Sequence, residues 1–173
     1  KAYFLLLKLL DKNTFEMNTE MVSEKVKKII KRKNFATLHI RYGDKLVATG
    51  WEHRYTMFPA FTPEYYIQMI KVFTKAGVPI YIVSDTKIIV EKHVIGKLNS
   101  EEKKNVTYLD VSYWDAFSLL KNSFYTALSF STFSLLAAML NKRSKGNFIA
   151  SRWKGDKEKL PEIFFVISLV FSD

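Results

Sequence analysis

The sequence predicts an α/β protein built on a parallel sheet with flanking helices, and three observations lead there. Short, largely apolar runs at Phe35–Ile40, Pro79–Val83 and Phe124–Leu128 have the length and composition of strands buried on both faces. The stretch between the first two carries a full set of helix signals. Thr62 can cap, Pro63 suits the first turn, Glu64 complements the positive end, and Gly77 follows Ala76 as a stop. Strands that alternate with helices in this way are joined by crossovers, and crossovers make parallel sheets.

The totals set the frame. A chain of 173 residues, 48% of them apolar, fits a single domain over 1–173 with a substantial core. A net charge of +10 points to an anionic partner: a nucleotide, a nucleic acid or an acidic membrane surface. Cysteine is absent, which excludes disulfides and thiolate metal sites and favours a reducing, cytoplasmic setting. The three histidines, at 39, 53 and 93, show no metal-ligand spacing, so no metal is expected.

In chain order, Lys1–Leu10 holds an apolar run too short to span a bilayer, expected to pack as helix or strand. Asn18–Lys33 reads as a helix with a stripe at Met21, Val22, Val26, Ile29 and Ile30, its outer face crowded with cations. The first strand follows and ends in His39-Ile40-Arg41-Tyr42-Gly43-Asp44. Strand side chains alternate, so His39 and Arg41 share a face. They emerge where the sheet stops, which is where open α/β folds bind ligands. The Arg41 guanidinium is a planar fork suited to phosphate oxygens, Gly43 permits a close turn, and Asp44 can pair with Arg41 or orient that turn. Lys45–Phe61 reads as a long loop rich in large side chains, among them Trp51, His53, Arg54, Tyr55 and Phe58.

Beyond the 62–76 helix and the strand at 79–83, Ser84-Asp85-Thr86 falls on the same sheet edge as Arg41 if the two strands are parallel; capping of the next helix is the simpler role for Asp85. Residues 87–100 are expected to be helical, Val106–Leu109 a short strand, Trp114–Leu120 a helix introduced by Asp115, and Phe124–Leu128 a strand. The hydroxyl-rich run Ser129–Ser134 then opens an apolar helix through Leu140. Ser131 and Thr132 at that junction can cap the helix, or join its free amides in an anion site. Phe148–Ala150 is a further core strand, and the apolar run 163–170 should be packed or paired.

His39-Ile40-Arg41-Tyr42-Gly43-Asp44 resembles the His-x-Arg-x-Gly-Asp motif of the α-1,2-fucosyltransferases and the related α-1,6 and nodulation enzymes. Further pieces follow in that family's order: Pro63-Glu64-Tyr65-Tyr66, Ile82-Val83-Ser84-Asp85, Asp115, Ser131-Thr132-Phe133-Ser134, Asn141 and a strand reaching Trp153. The resemblance spans Val26 to Trp153. It implies a Rossmann-like sheet, the nucleotide-binding half of a GT-B glycosyltransferase, here the C-terminal half of a longer or truncated enzyme. It also implies an inverting, metal-independent transfer of fucose from GDP-fucose to a glycan hydroxyl, with no cofactor beyond the donor. Catalytic roles fall to Arg41, His39 and Asp44, and donor contacts to Arg41, Asp85, Thr86, Ser131 and Thr132. Four places depart from the pattern: Tyr42 stands where a second Arg is frequent, Thr86 where a second acid is, Phe130 where Asn is, and Leu135-Leu136 where a paired tryptophan is. The implied partners are a GDP-sugar donor and a glycan acceptor, with peripheral membrane contact through the basic surface.

Two other readings remain open at this point. A basic nucleic-acid-binding module would account for 27 Lys and Arg, although no helix-turn-helix, zinc or RNA-recognition signature is present. A non-catalytic sugar-nucleotide or polysaccharide-binding domain would share the fold without turnover.

Overall fold

Strand β1, Ala36–Ile40, lies in the interior of a six-stranded sheet of order β3-β2-β1-β4-β5-β6. In the computed structural model, which describes residues 19–43, 61–150 and 163–166, β1 pairs in parallel with β2 (Ile80–Ser84) on one side and β4 (Tyr125–Ala127) on the other. Parallel pairing continues outward to β3 (Val106–Tyr108) and to β5 (Gly146–Ala150). The sixth strand, β6 (Ile163–Val166), closes the far edge by antiparallel pairing with β5, so this part of the apolar tail is paired as expected.

The helices cover both faces. Ala36, Leu38 and Ile40 point to one side and pack with Tyr65, Tyr66, Met69, Ile70 and Phe73 of α2 (Pro63–Lys75). Phe73 stacks on Tyr125 with centroids 5.6 Å apart, tying that helix to β4. On the other face, Phe35, Tyr81 and Val83 pack with Val26 and Ile29 of α1 (Glu24–Lys31) and with Ala116 and Leu119 of α5 (Tyr113–Asn122). Each fully buried aliphatic side chain contributes about 1.5–3 kcal/mol of transfer free energy, so both layers are held chiefly by apolar burial. The remaining helices among the described residues are α3 (Lys87–His93), α4 (Ser100–Asn105) and α6 (Thr132–Met139).

Three expected helices differ in their bounds. The one read over 18–33 is a 3-10 turn at Thr19–Met21 followed by α1, because Ser23 takes an extended conformation and its Oγ accepts from the Val26 amide as a cap. The one read over 87–100 is split into α3, a 3-10 turn at Ile95–Lys97 and α4; Asn99 and Glu102 form a reciprocal capping box that starts the second helix afresh. Helix α5 is capped by Ser112, not introduced by Asp115. Asp115 is buried and its carboxylate accepts from the Ser23 amide at 2.8 Å, which joins the start of α1 to the start of α5. The apolar run at 1–10 and the loop residues Trp51, His53, Arg54, Tyr55 and Phe58 lie outside the described residues.

Candidate functional site

The direction of chain travel reverses beside β1: the chain moves from β1 to β2 and β3 on one side, then returns to β4 and β5 on the other. At such a switch point the loops leaving adjacent strands part, opening a crevice at their carboxyl ends. The residues leaving β1 and β4 are Arg41–Gly43 and Leu128–Ser131. Sequence reasoning placed an anion site on these two stretches, and the fold brings them together.

Arg41 Nη1 donates to Ser131 Oγ at 3.5 Å across this crevice. Ser131 occupies the cap position of α6, yet its hydroxyl makes no capping bond and is turned to the guanidinium instead. Thr132 is exposed in the first turn of the same helix, beside it. A guanidinium, a hydroxyl and a helix amino terminus thus share one edge, a combination suited to oxygens of an anion.

His39 shares its face of the sheet with Arg41. Its Nδ1 is 2.6 Å from Ser129 Oγ, and its ring lies 5.4 Å from that of Phe133. Burial among these groups pushes its pKa down to about 4, with Asp85 opposing the shift and Arg41 adding to it. The imidazole is therefore neutral near pH 7, so Arg41 brings the charge and His39 brings a directed hydrogen bond. Ser129 is in turn held within the junction: Ser134 Oγ donates to the carbonyls of Ser129 and Ser131, 3.2 Å each.

Asp85 sits at the tip of β2, level with Arg41, because β1 and β2 are parallel. Its two oxygens accept from the backbone amides of Tyr42 (3.0 Å) and Gly43 (3.1 Å). The simpler expectation, that it caps α3, does not describe it. Thr86 is the cap residue there, with no side-chain capping bond, and its amide donates to Ser84 Oγ. Thr86 Oγ1 lies 3.4 Å from Asp85 Oδ1 and donates to it. Asp85 and Thr86 thus join the site through the backbone turn after Arg41.

Two tyrosines steady the strand tips. Tyr65 Oη donates to the Leu128 carbonyl at 3.3 Å, and Tyr108 Oη donates to the Ser84 carbonyl at 3.2 Å. Tyr42, standing where a second arginine is frequent in the resembled family, turns to the opposite face. It is fully buried, edge-on to Tyr66 with centroids 5.9 Å apart, so it packs rather than facing the crevice. Asp44 lies outside the described residues.

No family model matches the chain, and no curated protein matches it. Among solved structures, the crystal structure of POFUT1 in complex with GDP is similar at 13% identity and a TM-score of 0.45. The likeness covers 70% of this chain and 44% of that one, so the chain spans less than half of that protein's length.

Ser129 and Phe133 are the site residues that sequence reasoning passed over. Both stood inside the quoted hydroxyl-rich run, and Ser129 is the first hydroxyl after β4. The signal was its place at the strand tip opposite His39, which becomes visible only once β1 and β4 are paired in register. Among the described residues, no group of three or more His, Cys, Asp or Glu could hold a metal ion, and no helix is long and apolar enough to cross a membrane.

Proposed function

We propose that the crevice between β1 and β4 holds the diphosphate of a GDP-sugar, and that the chain is the nucleotide-binding half of a GT-B enzyme transferring fucose to a glycan hydroxyl. The observation that carries this reading is the convergence of Arg41 and Ser131 at the switch point. The motif resemblance supplies the identity of the donor and the inverting course.

In the proposed reaction an acceptor oxygen attacks the anomeric carbon as its bond to the β-phosphate oxygen breaks. The electron pair of that bond leaves with GDP, and the acceptor's proton passes to a base, for which the motif offers Asp44. Negative charge grows on the departing phosphate while the sugar becomes oxocarbenium-like. A guanidinium already oriented by Ser131 meets that charge without reorganising, and such preorganised groups lower barriers most where water is excluded. Neutral His39 adds a hydrogen bond without a second cation. Binding that tightens as charge develops is what acceleration requires.

Calorimetric titration with GDP, GDP-fucose and UDP tests the donor class, and release of GDP from GDP-fucose tests turnover. Guanine nucleotides should bind in preference to UDP, and Arg41→Ala should abolish both binding and release. Tighter binding of UDP would overturn the donor assignment. Binding without release would make this a non-catalytic sugar-nucleotide domain. Salt-sensitive submicromolar binding of DNA or RNA, indifferent to GDP, would replace the reading with a nucleic-acid module.

A further inference from the structure

Among the described residues, the edge of the sheet opposite the crevice is strongly basic and the crevice edge is not. A parallel sheet with crossover helices gathers every helix-to-strand turn at the amino ends of its strands. Here the last helical residues and the turns that follow them are 31–34 (KRKN), 74–77 (TKAG), 103–105 (KKN), 121–123 (KNS) and 141–146 (NKRSKG), leading into β1, β2, β3, β4 and β5. Together they hold ten Lys and Arg and no Asp or Glu. Among the described residues, the turns leaving the carboxyl ends of β1 to β4, 41–43, 85–86, 109–112 and 128–131, hold one cation, Arg41, and two carboxylates, Asp85 and Asp110.

Helix polarity accounts for only part of this. The carboxyl end of a helix carries about half a negative charge at most, so five helix ends draw roughly two and a half positive charges. Ten is far above that. Among the described residues, the ion pairs Lys27–Glu24 and Lys87–Glu91 include none of the ten. Arg32 donates to Tyr81 Oη and the Lys145 ammonium lies 5.7 Å over the Phe124 ring; neither contact removes charge. All but Lys121 are exposed.

We infer that this amino-terminal edge docks on an anionic lipid surface. Four interstrand steps of about 4.8 Å spread the charges over roughly 19 Å, a broad field rather than a point. Eight of the ten are lysines, compact charges suited to a diffuse layer of headgroups, where arginine forks would suit fixed phosphates. These stretches contain no aromatic residue, and Phe124 beside them is half-buried with Lys145 over its ring, which sets nucleic acid second. Docking by this edge leaves the Arg41–Ser131 crevice, at the other end of the strands, facing away from the surface.

Sedimentation with vesicles of phosphatidylcholine alone, or with three parts in ten phosphatidylserine, tests this in the whole chain. Binding should require the anionic lipid and weaken as salt rises. Replacing Lys142, Arg143 and Lys145 by Glu should lower binding by about a hundredfold, taking roughly fivefold for each cation near the surface. The same charge change at exposed Lys71, Lys87 and Lys92, which lie outside these turns, should cost much less. If the first variant does not fold, Lys31→Glu with Lys75→Glu probes the same edge from two other turns. Arg41→Ala should bind vesicles like the parent, so this result stands apart from the fate of the donor-site reading. Equal binding to both vesicles, equal loss in the control variant, or release from vesicles by a duplex oligonucleotide bound at submicromolar affinity would each overturn the inference.

Discussion

Asp85 Oδ2 occupies space that a β-carbon on Gly43 would enter: the two would stand 2.8 Å apart, closer than such atoms approach. The missing side chain is what lets the carboxylate reach the amides of Tyr42 and Gly43. In Gly43→Ala the Asp85 side chain, exposed at its far end, can swing away at the loss of both bonds. At about 1 kcal/mol for each of these bonds, one part-buried and one exposed, melting should fall by only a few degrees. Affinity for GDP should fall about tenfold, because the turn that aims Arg41 loosens. Asp85→Asn keeps one acceptor oxygen and should lie between. Scanning fluorimetry beside calorimetry separates the effects; a large drop in melting with unchanged GDP affinity would make this clip a part of the fold alone.

The depressed pKa of His39 implies a stability that depends on pH. Between about pH 6.5 and 4 the unfolded chain binds a proton at His39 that the folded chain refuses. Stability from this group is therefore fully present above pH 6.5 and declines as pH falls through that window, by on the order of 3 kcal/mol. His39→Gln should flatten this segment of a urea-midpoint profile. An unchanged slope in the variant would assign the acid sensitivity to other groups.

The alternation of apolar runs with capped helices was enough to read the parallel sheet, because strands buried on both faces are largely apolar and crossover helices carry start and stop signals. The pairing of Arg41 with Ser131 followed from that topology, since both sit at strand tips. The reach of Asp85 to the Tyr42 and Gly43 amides was not legible. A carboxylate before a helix looks like a cap, and only the spacing of β1 and β2 shows that it serves the neighbouring turn. The same holds for Asp115, whose partner Ser23 is 92 residues away. The breaks at Val22-Ser23 and after His93 were missed because apolar periodicity runs through them, while the capping bonds that end each helix depend on backbone geometry.

Arg41→Lys separates charge from shape. Lysine keeps the positive charge but replaces the planar fork with a single flexible ammonium. If Arg41 both holds Ser131 Oγ and meets the departing phosphate, GDP should still bind, weakened by about tenfold. Its release from GDP-fucose should slow by about a hundredfold, in line with losing an oriented donor to a developing anion. Single-turnover release beside equilibrium binding reads the two effects. Weakened binding with an unchanged single-turnover rate at saturating enzyme would mean that Arg41 contributes to ground-state binding only.

Asn141 offers a test of the fold well away from the crevice. Its Nδ2 donates to the carbonyls of Leu120 and Ser123, at 3.0 and 2.8 Å, and its Oδ1 accepts from the Arg143 amide at 2.9 Å. Being buried, it latches the end of α5 and the entry to β4 to the end of α6. Asn141→Ala removes the side-chain donor from the buried Ser123 carbonyl and leaves the Leu120 carbonyl to Ser123 Oγ alone, and should cost about 1–3 kcal/mol in urea unfolding. Asn141→Asp should cost more, because a carboxylate can accept from Arg143 but turns negative oxygen toward the same two carbonyls. Both variants, once folded, should bind GDP as the parent does, because the latch belongs to the amino-terminal edge of the sheet and Arg41 to the other. A milder effect for Asp than for Ala would show that accepting from Arg143, and not donating to Leu120 and Ser123, is what holds this corner.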